Sequence, residues 1–256
     1  MHARDIHDVI SLLHGILDDR TLAPAHLKLF PALYLRVTQE VAASISAGHF
    51  DDGARMDRLD TIFANRYFHA LTTWRAGGRA TGPWRVAFEH AAESRGIALQ
   101  HLLLGMNAHI NLDLAVSVAH AVPGDTIAHL RADFDRINAI LARMINGSQA
   151  VLGEFSPLLD LLDRVGGQAD ETIAEFSITK ARGAAWEAAE LLVDRPSPLQ
   201  RRRAVKLLEA TTKMLGRSIA RPGPLVAAAV AVIQIREDDD VAAMVDRLRT
   251  ADLSPG

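Results

Sequence analysis

The chain contains no cysteine, which excludes disulfides, thiolate zinc sites and cysteine nucleophiles. It has no marked excess of either charge: 28 Lys and Arg stand against 31 Asp and Glu, a net −3, so it offers no basic footprint for nucleic acid. Arg201-Arg202-Arg203 is a local exception, and with Leu199, Val205, Leu207 and Leu208 spaced around it the run reads as a solvated helix face. No apolar run approaches the roughly 18 residues of a membrane span; Leu225 to Ile233 comes nearest. Met1-His2-Ala3-Arg4-Asp5 leads into a helix pattern unlike a signal peptide. These absences together lead us to expect a cytoplasmic protein that engages neither nucleic acid nor membrane, of undetermined oligomeric state. Gly-rich phosphate loops, His-Glu-x-x-His and Gly-x-Ser-x-Gly are also missing, and the central segments lack the Glu-x-x-His of di-iron bundles.

What is present is helical periodicity. Hydrophobic residues make up 49% of the 256 positions, enough for a large core. Their spacing fits helices nearly everywhere and alternates as a strand nowhere. Ile6, Val9, Ile10, Leu13 and Leu17 form a first stripe. Further helices are expected over Ala32–Ala47 with Gly48 as stop, over Ala54–Ala76 before Gly77-Gly78, and from Pro83 to near Gly96. After a central segment, Asp125 should cap a helix lasting to about Gly147. Pro157–Val165 reads as a short helix ending at Gly166-Gly167, and Asp170 as the cap of another running to Val193. Loops are short and no repeat is found, so an all-α, single-domain bundle over residues 1–256 is expected. A minor boundary fits only the turn at 196–198.

The segment from about 97 to 122 is apolar on every side, which marks a helix enclosed by others. Yet it carries Gln100, His101, Asn107, His109, Asn111, Asp113, Ser117 and His120. Each enclosed polar group needs a partner, because an unpaired one costs on the order of 1–3 kcal/mol. Projected at about 100° per residue, Gln100, Asn107 and Asn111 form an amide row. His109, Asp113 and His120 share the opposite side, and His101 stands between. At i,i+4, His109 and Asp113 can converge on one ligand or bond to each other. Functionally, His109 would be a general base or metal ligand oriented or assisted by Asp113. Structurally, the same pair is a satisfied core His–Asp contact with amides bridging to neighbouring backbone.

Two neighbouring helices bring further polar groups inward. Arg66 projects into the face made by Met56, Leu59, Ile62, Phe63, Tyr67, Ala70 and Trp74, with Asn65 and His69 at its edge. A buried guanidinium cannot lose its charge and needs an anion, although Arg66 can also snorkel to water. Asp133 falls within the apolar sector of the helix carrying Leu130, Phe134, Ile137 and Leu141. An ion pair of Arg66 with Asp113 or Asp133 would account for part of this without any activity.

The stretch from Leu99 to Leu114, LQHLLLGMNAHINLDL, resembles the signature of a bacterial protein family of unknown function. The similarity extends to Phe63-Ala64-Asn65-Arg66-Tyr67, to Asp133 through Asn138 and to Leu162 through Gly167; His120 lies outside it. The resemblance implies a helical bacterial protein and carries over no activity. From the residues themselves the leading expectation is an enzyme acting on a small polar or anionic molecule, by hydrolysis or elimination. His109 and Asp113 would form the catalytic dyad, and Arg66, Asn65, Asn107 and Asn111 would bind the substrate. A divalent metal held by His101, His109, Asp113 and Asp133 is the candidate cofactor. The alternatives are a non-catalytic small-ligand-binding or interaction protein, and a structural module with a polar core.

Overall fold

The computed structural model describes residues 1–121, 127–162, 178–194 and 197–251, without the side chains of 142–143 and 145–149. Among the described residues there are helices and no strand. Helix α1 (Ile6–Asp18) is followed by a 3₁₀ turn (Ala25–Lys28), α2 (Leu29–Ser46), α3 (Gly53–Arg75) and α4 (Gly82–Ala92). The central helix α5 (Ala98–Ala121) comes next, then α6 (Ile127–Phe155), α7 (Ile178–Val193), α8 (Pro198–Ala220), α9 (Pro224–Arg236) and α10 (Val241–Thr250).

Local chemistry sets most of these ends. The Asp5 and Asp52 carboxylates accept from the amides of Asp8 and Arg55, each at 2.8 Å, and so cap α1 and α3. Ser197 and Asp240 do the same for α8 and α10. Gly48, Gly77 and Gly96 follow α2, α3 and α4 at φ of +70°, +72° and +76°, a backbone region in which a side chain is strained. Helix α6 runs past Gly147, the expected stop, to Phe155. An internal glycine costs about 1 kcal/mol, which burial of Val151 and Leu152 beyond it offsets. The expected features at Val122–Asp125, Asp163–Gly167, Asp170 and Pro196 lie outside the described residues.

Helix α5 is apolar and long enough to cross a membrane, and here it is the core of the bundle. Leu102, Leu104, Ala108, Leu112, Ala115 and Val118 are all buried. Helices α2, α3, α4, α7 and α8 pack around it. Helices α1 and α10 flank α2, and α6 closes the far side of α2. The enclosure leaves Gln100, His101, Asn107, His109, Asp113 and Ser117 buried. His120, by contrast, is exposed.

The reason lies in the middle of the helix. Residues His109–Leu114 form a π-helical turn, flanked by α-helix on both sides. A π turn takes one more residue per turn than an α turn, so everything after it is rotated away from the straight-helix projection. The Ser117 hydroxyl donates to the Asp113 carbonyl oxygen at 2.7 Å, serving a backbone group within the disturbed ladder.

Candidate functional site

The two polar rows of α5 meet different neighbours. On one side Gln100 donates to the Ile219 carbonyl at 2.7 Å, and Asn107 donates to the Thr212 carbonyl at 3.0 Å. Asn111 donates to Asn107 Oδ1 at 3.0 Å. This amide row therefore fastens α8 to the core. Asn107 and Asn111, expected to bind substrate, are used by these bonds and line no cavity with His109.

On the other side Asp113 is fully engaged. Arg66 Nε donates to one carboxylate oxygen at 2.8 Å, and Trp84 Nε1 donates to the other at 2.7 Å. The anion that Arg66 requires is thus Asp113 itself. His109 Nδ1 lies 3.9 Å from Asp113, beyond hydrogen-bond reach, so the expected dyad is a neighbouring pair without a bond. Asn65 exchanges hydrogen bonds with the backbone of Ala3 at 2.7 and 2.9 Å and pins the N-terminal segment. Asp133 does point inward, as expected, but it accepts from the amides of Asp51 and Asp52 and from Arg55 and Arg136. His101 packs between His26 and His90, at ring separations of 4.7 and 4.9 Å. The four residues expected to hold a metal are dispersed over three places, and no group of three metal-ligating side chains converges among the described residues.

His109 itself stands in an aromatic enclosure. Phe63 stacks on its ring at 3.5 Å with 10° between planes, while Tyr34 and Phe30 present edges at 4.5 and 5.4 Å. Trp84 and Tyr67 complete the shell at 6.1 and 6.5 Å. Both tyrosines of the chain are thereby spent on this one histidine. Phe30 reaches this position because Gly105, one turn before His109, has no side chain. A Cβ there would lie 2.5 Å from the Phe30 ring.

The ring opens onto a cavity of about 200 Å³ between α2, α3, α5, α6 and α7. Its wall is mostly apolar, with Leu33, Val37, Leu103, Met106 and Ile110 among its residues. Four polar residues interrupt it: Tyr34, Asp60, His109 and Arg182. Both ring nitrogens of His109, the Tyr34 hydroxyl and Asp60 Oδ2 are buried without a hydrogen-bond partner. Burial holds the His109 imidazole below its usual value, with Asp113 opposing and Arg66 reinforcing the shift, so the ring is neutral at pH 7. Burial, with Asp57 nearby, pushes the Asp60 carboxyl up to about 7. The Tyr34 hydroxyl is raised for the same reason, with Asp60 contributing.

Arg182 is buried, yet no carboxylate lies within ion-pair distance of it among the described residues. Its guanidinium stacks on Phe134 at 4.1 Å and donates to the Phe134 carbonyl at 2.8 Å and to Asn138 Oδ1 at 2.5 Å. Burial lowers even this group, to about 9. Tyr34, Asp60 and Arg182 are the members of the site that sequence reasoning missed. A signal existed for two of them. Asp60 sits in the stripe Met56, Leu59, Phe63, Tyr67, and Arg182 sits in the stripe Ala181, Ala185, Trp186, Ala189.

Fold and site together define an all-helical protein with an apolar cavity bounded by buried, unpaired polar groups. The chain belongs to DUF5995, a family of unknown function whose model matches residues 6–222. No curated protein matches it, and no solved structure does.

Proposed function

We propose that this protein binds a small amphipathic molecule, apolar in its body and anionic or protic at one end, in the cavity beside His109. The observation that carries this is the convergence of unpaired polar atoms on one apolar cavity. Each such atom costs on the order of 1–3 kcal/mol while it lacks a partner, and a bound ligand would supply one. Arg182 favours a carboxylate or similar anion, because a buried guanidinium keeps its charge. The anionic character expected from Arg66 is therefore transferred to Arg182. An apolar cavity of 150 Å³ holds benzene, so about 200 Å³ suits a chain of roughly eight carbons or a substituted ring. On this reading the stretch Leu99–Leu114, singled out as a bacterial signature, is one wall of the pocket.

Titration with octanoate and with octanol, followed by calorimetry, tests it. Saturable one-to-one binding of octanoate, weaker for octanol by tenfold or more, is the expected result. No binding of either would remove the proposal.

A catalytic reading has one observation in its favour: a neutral imidazole with free nitrogens shares the cavity with a carboxyl group near 7. Acid–base hydrolysis would then use His109 as base and Asp60 as proton donor, with Asp113 holding Arg66 and Trp84 in place. Hydrolysis of p-nitrophenyl octanoate above the uncatalysed rate, lost in His109→Phe, is its test. A rate equal to the blank leaves the binding function alone.

A further inference from the structure

Helix α9, Pro-Leu-Val-Ala-Ala-Ala-Val-Ala-Val-Ile-Gln-Ile-Arg, is apolar on all sides but covered on only one. Val226, Ala229, Val230 and Ile233 face the body. Leu225 and Val232 are about half exposed, and Ile235 is 80% exposed. In projection these three and Ala228 fall within an arc of about 80°. A helix apolar all round is ordinarily enclosed, and a continuous exposed apolar face marks a contact surface.

The helix before it is exposed as well, and it is charged. Helix α8 carries Arg201, Arg202, Arg203, Lys206, Lys213 and Arg217 against the single acid Glu209, in a chain whose net charge is −3. Leu207 and Met214 are 68% and 67% exposed at the middle of its outer face. Arg203, Lys206 and Arg217 share that face within about 100°, and none has an ion-pair partner among the described residues. Helices α8 and α9 meet at an angle of 57°. Beside them lies an open groove of about 890 Å³, to which Lys213, Arg217 and Arg221 contribute from one wall. Arg85 and Arg95 stand on the other, paired with Glu89 and Glu93.

We propose that this face of α8 and α9 docks the protein on an anionic phospholipid bilayer. Exposed apolar side chains interleaved with unpaired cations are what an interfacial helix uses. The apolar groups enter the acyl boundary while the cations meet phosphate. A second copy of the chain fits less well, because a two-fold pairing through this face would set the same cations against one another. The surface is separate from the His109 cavity and does not rest on the function proposed for it.

The test is flotation of the full chain with vesicles of phosphatidylcholine alone and of phosphatidylcholine with phosphatidylglycerol in equal parts. Binding is expected only to the mixed vesicles, and added salt should weaken it. The triple variant Arg203→Gln, Lys206→Gln, Arg217→Gln should bind roughly 100-fold less, since each cation near such a surface adds about fivefold. The double variant Val232→Asp, Ile235→Asp should not bind, with an unchanged circular dichroism spectrum because both sites are exposed. Failure to bind the mixed vesicles, or equal binding to both kinds, would overturn the proposal. So would a dimer in sedimentation velocity that the double variant converts to monomer while vesicle binding is absent.

Discussion

At the scale of single residues, the site rests on how three charged or titratable groups are partnered. Asp113 holds two donors on its two oxygens, and one of them is the charge of Arg66. Removing one partner of a buried pair leaves the other uncompensated, which costs about 3–5 kcal/mol when the pair is enclosed. Arg66 is a quarter exposed, so the lower end applies. Arg66→Met should therefore destabilise the protein by roughly 3 kcal/mol in urea unfolding. If Arg66 bound a substrate instead, the variant would keep its stability and lose only affinity. Much of this was legible beforehand: a lone arginine within an apolar stripe demands an anion, and Asp113 was among the candidates. The absent His109–Asp113 bond was not legible, because spacing places two residues on one face without fixing the last ångström.

Among the helices, the element that decides the site is α5 and its π turn. Straight-helix projection separated the amide row from the His–Asp row, and that separation holds in space: the amides bind α8, while His109 and Asp113 face α3 and α4. It failed for His120, which lies past the π turn and turns outward. Nothing in the residues from His109 to Leu114 announces a widened turn. The packing of aromatic rings beside it was equally hidden, since it depends on Gly105 admitting Phe30 from another helix. Gly105→Ala would force a methyl group to 2.5 Å from that ring. Overpacking of this kind costs about 1–3 kcal/mol. A lowered urea midpoint together with weaker octanoate binding is expected, because Phe30 would leave its place against His109. An unchanged midpoint would show that the Phe30 contact does not constrain the site.

For the molecule as a whole, the all-helical class and most helix ends could be read from periodicity, caps and glycine stops. The cavity could not, because it depends on how α2, α3, α5, α6 and α7 approach one another. The buried titratable groups give the whole fold a characteristic pH response. His26, His90, His101 and His109 all sit below their ordinary 6.5 through burial, His101 at about 2. The unfolded chain therefore takes up protons first. Their contribution to stability is complete above about pH 6.5 and declines as the pH falls towards the folded values. Asp60 acts in the opposite sense. Its folded value of about 7 lies above the ordinary 3.8, so its neutral form favours the folded state fully below about 3.8, and that contribution is lost as the pH rises through 7. Between about pH 4 and 6.5 the two therefore oppose each other, and above about pH 7 neither changes stability further. Asp60→Asn should lose melting temperature more steeply than the wild type on acidification over that range. Equal acid-side slopes in the wild type and Asp60→Asn would show that this carboxyl does not titrate in that range.

If the proposed function holds, the free nitrogens of His109 serve a ligand and not the fold. Replacing His109 by Phe removes both nitrogens while keeping a planar ring to stack on Phe63. The most direct measurement is thermal unfolding of the wild type and His109→Phe, each with and without saturating octanoate. The variant should melt several degrees higher than the wild type on its own, through a gain of about 1 kcal/mol from the lost unpaired groups. Octanoate should raise the melting temperature of the wild type, and that of the variant by less, since Arg182 remains to meet the carboxylate. A variant that melts lower, and is still stabilised by octanoate as much as the wild type, would show that these nitrogens serve the fold.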